Sequence, residues 1–316
     1  MISKKIHKNR RSIALSIGIL LLAIGAVDRW LPYALISHYK KPVIEQPSIL
    51  NQYDAKAESI TFTTRDRINI SGWFISAKPT TKRTIILLHT RGGTRQDTLE
   101  FGLPFLQSGF NLAMIDLRGH GKSGGEYFTF GYHEWQEVSA LLDSLEARQD
   151  SSATDVTLIG ISAGGAVAIS AAAKDPRVKR VVSIAAFADL GETIRAQVPW
   201  LPGVWRNRAI QEAEQVAQFR VQDTSPINAI RNVRAPVLIV HGNDDRYIPL
   251  NNANQLFEAA TTRKELYVIE EATHENMLQQ GGQKLHQQIV KFINCDDWSH
   301  CNRGGARAQS TRSPAL

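Results

Sequence analysis

Between residues 58 and 293, strand-like and helix-like segments alternate, and several of the strand-like ones are apolar without interruption. Ile85-Ile86-Leu87-Leu88 and Val237-Leu238-Ile239-Val240 are the clearest. A strand with one face in water alternates apolar and polar residues, so an unbroken run fits a strand covered on both faces. Strands separated by helices can pair in parallel through crossover connections. The pattern therefore predicts an α/β fold, with a mostly parallel sheet and helices on both faces. Strands are expected at about 58–64, 68–76, 84–89, 110–116, 155–161, 178–186, 236–241 and 265–270. Helices are expected at about 96–108, 133–149, 162–174, 251–261 and 276–293. The first two strands meet around Arg65-Asp66, which predicts an antiparallel hairpin. Residues 188–234 break the rhythm. They are too long for a connecting loop and contain helical pieces, so they read as an inserted cap.

Charge narrows the range of partners. The 316 residues carry a formal net charge of +7. Lys4, Lys5, Lys8, Arg10 and Arg11 lie in residues 1–11 with no acidic residue among them. The body from 12 to 294 is close to neutral, whereas a nucleic-acid binder needs a basic surplus on a folded face. No nucleic-acid partner is expected. Behind the basic run, Ser12 to Val27 is uncharged and rich in Ile, Leu and Ala. As a helix this stretch spans roughly 24 Å, and Trp30, Leu31, Pro32 and Tyr33 can extend it toward the roughly 30 Å of a bilayer core. The cationic run predicts the N-terminus inside and the body outside. Residues 12–36 are thus expected to be a membrane anchor, with a cleaved export signal ending near Ala23-Ile24-Gly25 as the alternative. Residues 37–57 are expected to be a linker, 58–294 the main domain and 295–316 a disordered tail. Both cysteines, Cys295 and Cys301, fall at this end of the chain. A local disulfide there would require an extracytoplasmic setting.

Residues 155–165 read D-V-T-L-I-G-I-S-A-G-G. An apolar strand runs into Gly160-Ile161-Ser162-Ala163-Gly164, and a small-residue helix follows. This is G-x-S-x-G in a strand–turn–helix setting, which exposes a serine hydroxyl at the carboxyl edge of a sheet. A serine hydroxyl is a weak nucleophile, so it needs a base, and the base needs an acid to orient it. With the order Ser, acid, His that such a sheet imposes, the nine histidines can be sorted. His7, His38, His89, His120 and His133 precede the serine. His241 closes a strand ahead of the acid, His286 lies within the last helix and His300 in the tail. His274, in the loop beyond the final strand, is the expected base. Asp245, after the strand Val237-Leu238-Ile239-Val240, is the expected acid, with Asp244 and Asp189 as neighbouring alternatives. Residues 116–123 lack the first glycine of a phosphate-binding loop, because position 116 is Asp. No second histidine stands at metal-ligand spacing from His274, so neither metal nor cofactor is expected.

These motifs resemble the α/β-hydrolase superfamily, and in particular its serine aminopeptidase-like and prolyl-oligopeptidase-like bacterial members. The matching pieces are L-L-H-T-R-G-G (87–93), D-L-R-G-H-G-K-S-G-G (116–125), G-I-S-A-G-G (160–165), the stretch 225–249 and A-T-H-E-N (272–276). The resemblance implies an eight-stranded sheet, with Ser162 as nucleophile, Asp245 as acid and His274 as base. It also implies an oxyanion hole made by the backbone N–H groups of Ala163 and Arg91. Where the family commonly has His-Gly, this chain has His89-Thr90, which puts the second donor in question. The activity implied is serine-dependent cleavage of an ester, thioester or amide, carboxylesterase-like, on a small acyl ester. A peptidase with a peptide substrate and a non-catalytic binding protein of the same fold are the alternatives. Trp200 and Trp205, in the cap, are expected to wall the site, to pack the cap onto the body or to dip into a bilayer.

Overall fold

The computed structural model describes residues 25, 29–37, 40–148 and 154–295. The basic run, most of the apolar segment 12–27 and the tail after residue 295 lie outside the described residues. Eight strands form one sheet: β1 (Glu58–Thr63), β2 (Asn69–Ile75), β3 (Arg83–Leu88), β4 (Asn111–Ile115), β5 (Asp155–Ile161), β6 (Val178–Ile184), β7 (Val237–Gly242) and β8 (Lys264–Ile269). Their order is β1-β2-β4-β3-β5-β6-β7-β8. β1 and β2 form the expected antiparallel hairpin, β2 also meets β4 antiparallel, and every other pairing is parallel.

The unbroken apolar runs are explained by the two layers that cover the sheet. The helices are α1 (Leu99–Gln107), α2 (Trp135–Glu146), α3 (Ala163–Lys174), α4 (Leu190–Gln197), α5 (Gly203–Ala217), α6 (Pro226–Ala229), α7 (Asn251–Ala259) and α8 (Met277–Asn294). Ile86 and Leu88 of β3 join one core with Leu141 of α2, Val167 of α3 and Leu256 of α7. Ile85 and Leu87, on the other face, join a second core with Leu103 of α1 and Leu285 and Ile289 of α8. Successive side chains of a strand point to opposite faces, so each residue of the run has a core to enter. Each such Ile or Leu contributes roughly 2 kcal/mol relative to exposure.

The chain from β3 moves outward to β4 and then returns to place β5 on the opposite side of β3. Such a reversal leaves a crevice at the carboxyl ends of the two strands. Leu88 of β3 lies opposite Gly160 of β5, so the loop starting at His89 and the turn at Ser162 open into this crevice.

The N-terminal boundaries differ from expectation. Residues 29–36 are helical, but Ile36 is fully buried in the main core and its carbonyl accepts the Phe128 N–H at 2.9 Å. This stretch therefore belongs to the body rather than to a span ending at residue 36. Among the described residues no helix is long and apolar enough to cross a membrane. The segment expected to be a linker is docked instead. Val43, Leu50 and Ala57 are buried, spaced too widely through polar sequence to read as an element, and Glu45 contacts Lys122 and Arg95.

Candidate active site

Ser162 sits between β5 and α3 with φ 55° and ψ −118°, a region that non-glycine residues enter only when neighbours force them. The flanking glycines supply that force. A Cβ on Gly160 would lie 2.0 Å from the Gly164 carbonyl oxygen, and one on Gly164 would lie 2.3 Å from that of Leu88. The backbone is thus pressed against itself and against β3, and the turn lifts the hydroxyl out of the sheet edge.

The loops after β7 and β8 bring in the partners. Ser162 Oγ lies 2.9 Å from His274 Nε2. The other ring nitrogen, Nδ1, lies 2.7 Å from Asp245 Oδ2. The Asp245 carboxylate is fully buried, and its Oδ1 accepts the N–H groups of Tyr247 at 3.0 Å and Ile248 at 2.8 Å. Burial would raise this carboxyl, but bonds from His241 and His274, with the Ile248 N–H, outweigh it and hold it well below the ordinary carboxylate range. The two loops are tied together, since Asp244 N–H donates to the Ala272 carbonyl at 3.1 Å and Glu271 N–H to Asn243 Oδ1 at 2.7 Å. The alternative acids are engaged elsewhere. Asp244 pairs with Arg246 at 3.2 Å in solvent, and Asp189 caps α4 by accepting the Glu192 N–H at 3.0 Å.

His241 has a part that sequence reasoning missed. Its Nε2 donates to the Ile248 carbonyl at 2.7 Å and lies 3.4 Å from Asp245 Oδ2, with both side chains wholly buried. It thus approaches the same carboxylate oxygen that His274 contacts. The only signal in the sequence was its place at the end of an apolar strand, which also describes many core histidines.

Thr90 is accommodated by a shift of one step in the turn. The Thr90 carbonyl accepts the Gly93 N–H at 3.0 Å, and Gly92 takes φ 73°. The left-handed residue is thus a glycine at the third turn position, as in a type II turn, and Thr90 keeps an ordinary backbone. Two histidines hold this loop. His120 Nε2 accepts the Gly92 N–H at 2.9 Å, and its Nδ1 donates to the Arg118 carbonyl at 2.9 Å. His89 Nδ1 donates to the Thr90 carbonyl at 2.7 Å, while its Nε2 accepts the Leu117 N–H at 3.0 Å. Burial pushes His89 below the ordinary imidazole range. Among the described residues, neither the Arg91 nor the Ala163 N–H donates to a protein acceptor. Thr90, Arg91, Ser162, Ala163 and His274 line one cavity of about 290 Å³, closed further by Leu35, Phe130, Phe187 and Ile194. The Tyr247 ring lies 4.9 Å from that of His274.

The remaining motif, residues 116–125, is braced by ion pairs. Asp116 holds Arg95 at 2.9 Å, and Arg118 holds Glu137 at 2.5 Å and Asp66 at 2.8 Å. Trp200 is 75% exposed and does not line the cavity over Ser162, so it neither walls the site nor packs the cap. No group of three or more His, Cys, Asp or Glu residues suited to a metal occurs among the described residues.

Fold and site together define a class. The chain has the α/β-hydrolase fold, and residues 83–225 match the model of the alpha/beta hydrolase fold. It is 26% identical to the protein YfhR of Escherichia coli (strain K12) over 244 residues, covering 75% of this chain and 80% of that one. Among solved structures it is similar to the Pyrococcus furiosus esterase Pf2001. That match has a TM-score of 0.67 and 20% identity, and it covers 81% of this chain and 98% of the esterase. It is also similar to the Pyrococcus horikoshii acylaminoacyl peptidase, with a TM-score of 0.59 and 16% identity over 75% of this chain and 41% of the peptidase. At these identities the structural likeness establishes the fold alone.

Proposed function

We propose that the protein is a serine hydrolase that cleaves carboxylic esters, thioesters or amides through an acyl-enzyme, with carboxylesterase-like activity on small acyl esters. The observation that carries this reading is the unbroken chain Ser162–His274–Asp245, with bonds of 2.9 and 2.7 Å, opening into an apolar-walled cavity. Ser162 Oγ attacks the substrate carbonyl carbon as His274 Nε2 takes its proton. The Asp245 carboxylate accepts the Nδ1–H and stabilises the imidazolium that forms. The oxyanion accepts hydrogen bonds from the N–H groups of Ala163 and Arg91. Collapse expels the alcohol, thiol or amine, which leaves with the proton from His274. Water then gives a proton to His274, attacks the acyl-enzyme and releases the acid, and the proton returns to Ser162. No cofactor enters this cycle.

The ester reading draws support from the esterase Pf2001, and the amide reading from the acylaminoacyl peptidase. The cavity of about 290 Å³ favours a small acyl group over an extended peptide. The test is turnover of p-nitrophenyl acetate and butyrate by the purified full chain. Ser162→Ala is expected to lower kcat by on the order of 10⁶-fold, leaving the residue of catalysis that an oxyanion hole alone supplies. Comparable rates in the variant would sink the assignment.

The same reading places the enzyme at a membrane, anchored through the N-terminal apolar segment with the body on the extracytoplasmic side, periplasmic in a Gram-negative cell. Export with cleavage of the segment is the alternative. The cationic run supports the orientation. Cys295 is disulfide-bonded, which suits an oxidising compartment. Trp30, Trp200 and Val204 are 68%, 75% and 73% exposed, a set of apolar side chains suited to the interface of a bilayer.

A further inference from the structure

A second cavity, of about 190 Å³, adjoins the one over Ser162. Leu35, Arg91, Ile194 and Gln197 line both, so the two share a wall. Its walls come from the helical stretch 29–36, from α4 and α5 and from the turn between them, chiefly Leu31, Ala34, Val198, Leu201 and Ile210. Arg91 and Arg206 also line this apolar space, and among the described residues no Asp or Glu does.

Both half-buried guanidinium groups are only partly satisfied within the protein. The Nε atoms of Arg91 and Arg206 are buried without a hydrogen-bond acceptor. Arg91 Nη2 donates to the Ala34 carbonyl, and the guanidinium lies 5.8 Å from the centre of the Phe130 ring. Neither arginine forms an ion pair among the described residues, in contrast to Arg95 and Arg118, which are held by carboxylates. Burial pushes Arg91 below the ordinary guanidinium range, yet a guanidinium stays charged at neutral pH. A cation partly withdrawn from water without a counter-charge carries a desolvation cost. A planar fork of donors matches a carboxylate or phosphate, and such an anion offsets that cost.

We infer that Arg91 and Arg206 form an anion subsite beside Ser162, selecting amphiphilic acyl substrates whose apolar body carries a carboxylate or phosphate. This rests on the reading of Ser162 as the nucleophile, and it adds the substrate class. The apolar part lies against Leu31, Val198, Leu201 and Ile210, while the oxyanion meets the two forks. Trp30 and Trp200, each adjacent in sequence to a residue of this cavity, stand exposed at its two walls, where an amphiphile leaving a bilayer would enter. Arg91 thereby has two roles, its N–H toward the reacting oxygen and its side chain toward the substrate's charge.

Binding measured without turnover tests the subsite separately from catalysis. Full-length Ser162→Ala is titrated calorimetrically with hexyl phosphate, hexanoate and the neutral isostere hexanamide. At least one anion is expected to bind about tenfold or more tightly than the amide, the gain of a charge-assisted hydrogen bond. The stronger of the two anions identifies the group the subsite holds. In the Arg206→Gln background the preference is expected to fall to about threefold or less, and Arg206→Lys, which keeps the charge without the fork, is expected to lie between. Equal binding of all three ligands, or a preference that survives Arg206→Gln in a folded variant, overturns the subsite. Because binding is read in the Ser162→Ala protein, this result stands whether or not the wild type hydrolyses esters. An active wild type with no anion preference would lose the subsite and keep the hydrolase.

Discussion

At the scale of single residues, Asp245 is the position where structure and titration meet. Its carboxylate is fully buried, accepts two backbone N–H groups and touches two histidines. Asp245→Asn would present an amide N–H to His274 and favour the wrong tautomer. By analogy with the same replacement in a serine-protease triad, kcat should fall by on the order of 10⁴-fold. The carboxyl is held below its ordinary value of 3.8, so it also contributes to stability. A depressed carboxylate stabilises the fold fully above the unfolded-state value, and the contribution fades as pH falls below it. Urea titrations should therefore show a gap between wild type and Asp245→Asn that is full at pH 6 and narrows toward pH 3. A gap constant across that range would contradict the assigned environment. The grouping of Ser162, His274 and Asp245 was legible in the sequence because each follows a strand end and the chain order sorts the histidines. His241, His120 and Arg206 were not. Their parts depend on which loops meet across the sheet, which no local pattern encodes.

Among the elements, the turn from β5 into α3 is the most constrained. Gly164 approaches the Leu88 carbonyl so closely that an added Cβ would sit 2.3 Å from it. Gly92 differs, since it needs its φ of 73° but has open space around the Cβ direction. Gly164→Ala is expected to cost about 3 kcal/mol or more. Gly92→Ala should cost only the left-handed penalty of roughly 1–2 kcal/mol. Thermal melts of both variants check the ranking, and a Gly164→Ala protein as stable as wild type would mean the elbow is looser than described. Apolar periodicity placed all eight strands within a residue or two of their ends. It did so because the central strands, such as β3, β4, β5 and β7, have a core on both faces. The same reasoning failed for residues 40–57. There a few apolar side chains, such as Val43 and Leu50, dock a mostly polar segment by tertiary contact alone.

For the whole molecule, the charge distribution and the body's surface point the same way. In the topology we propose, the basic residues before Ser12 set the orientation, and exposed Trp30 and Trp200 give the folded body an apolar margin. Alkaline phosphatase fused after residue 60 should be active in cells, and a reporter that works only in the cytoplasm should be silent there. The reverse pair of results would place the body inside. Membrane fractionation of the full chain then separates an anchor from a cleaved signal. All of this surrounds one claim, that Ser162 is an activated nucleophile driven by His274. The most direct measurement is the mass of the intact protein after reaction with a fluorophosphonate, followed by mapping of the modified peptide. One adduct on Ser162 is expected in the wild type, with none in Ser162→Ala and slow formation in His274→Ala. A wild type that stays unmodified, or an adduct that persists in Ser162→Ala, would contradict it.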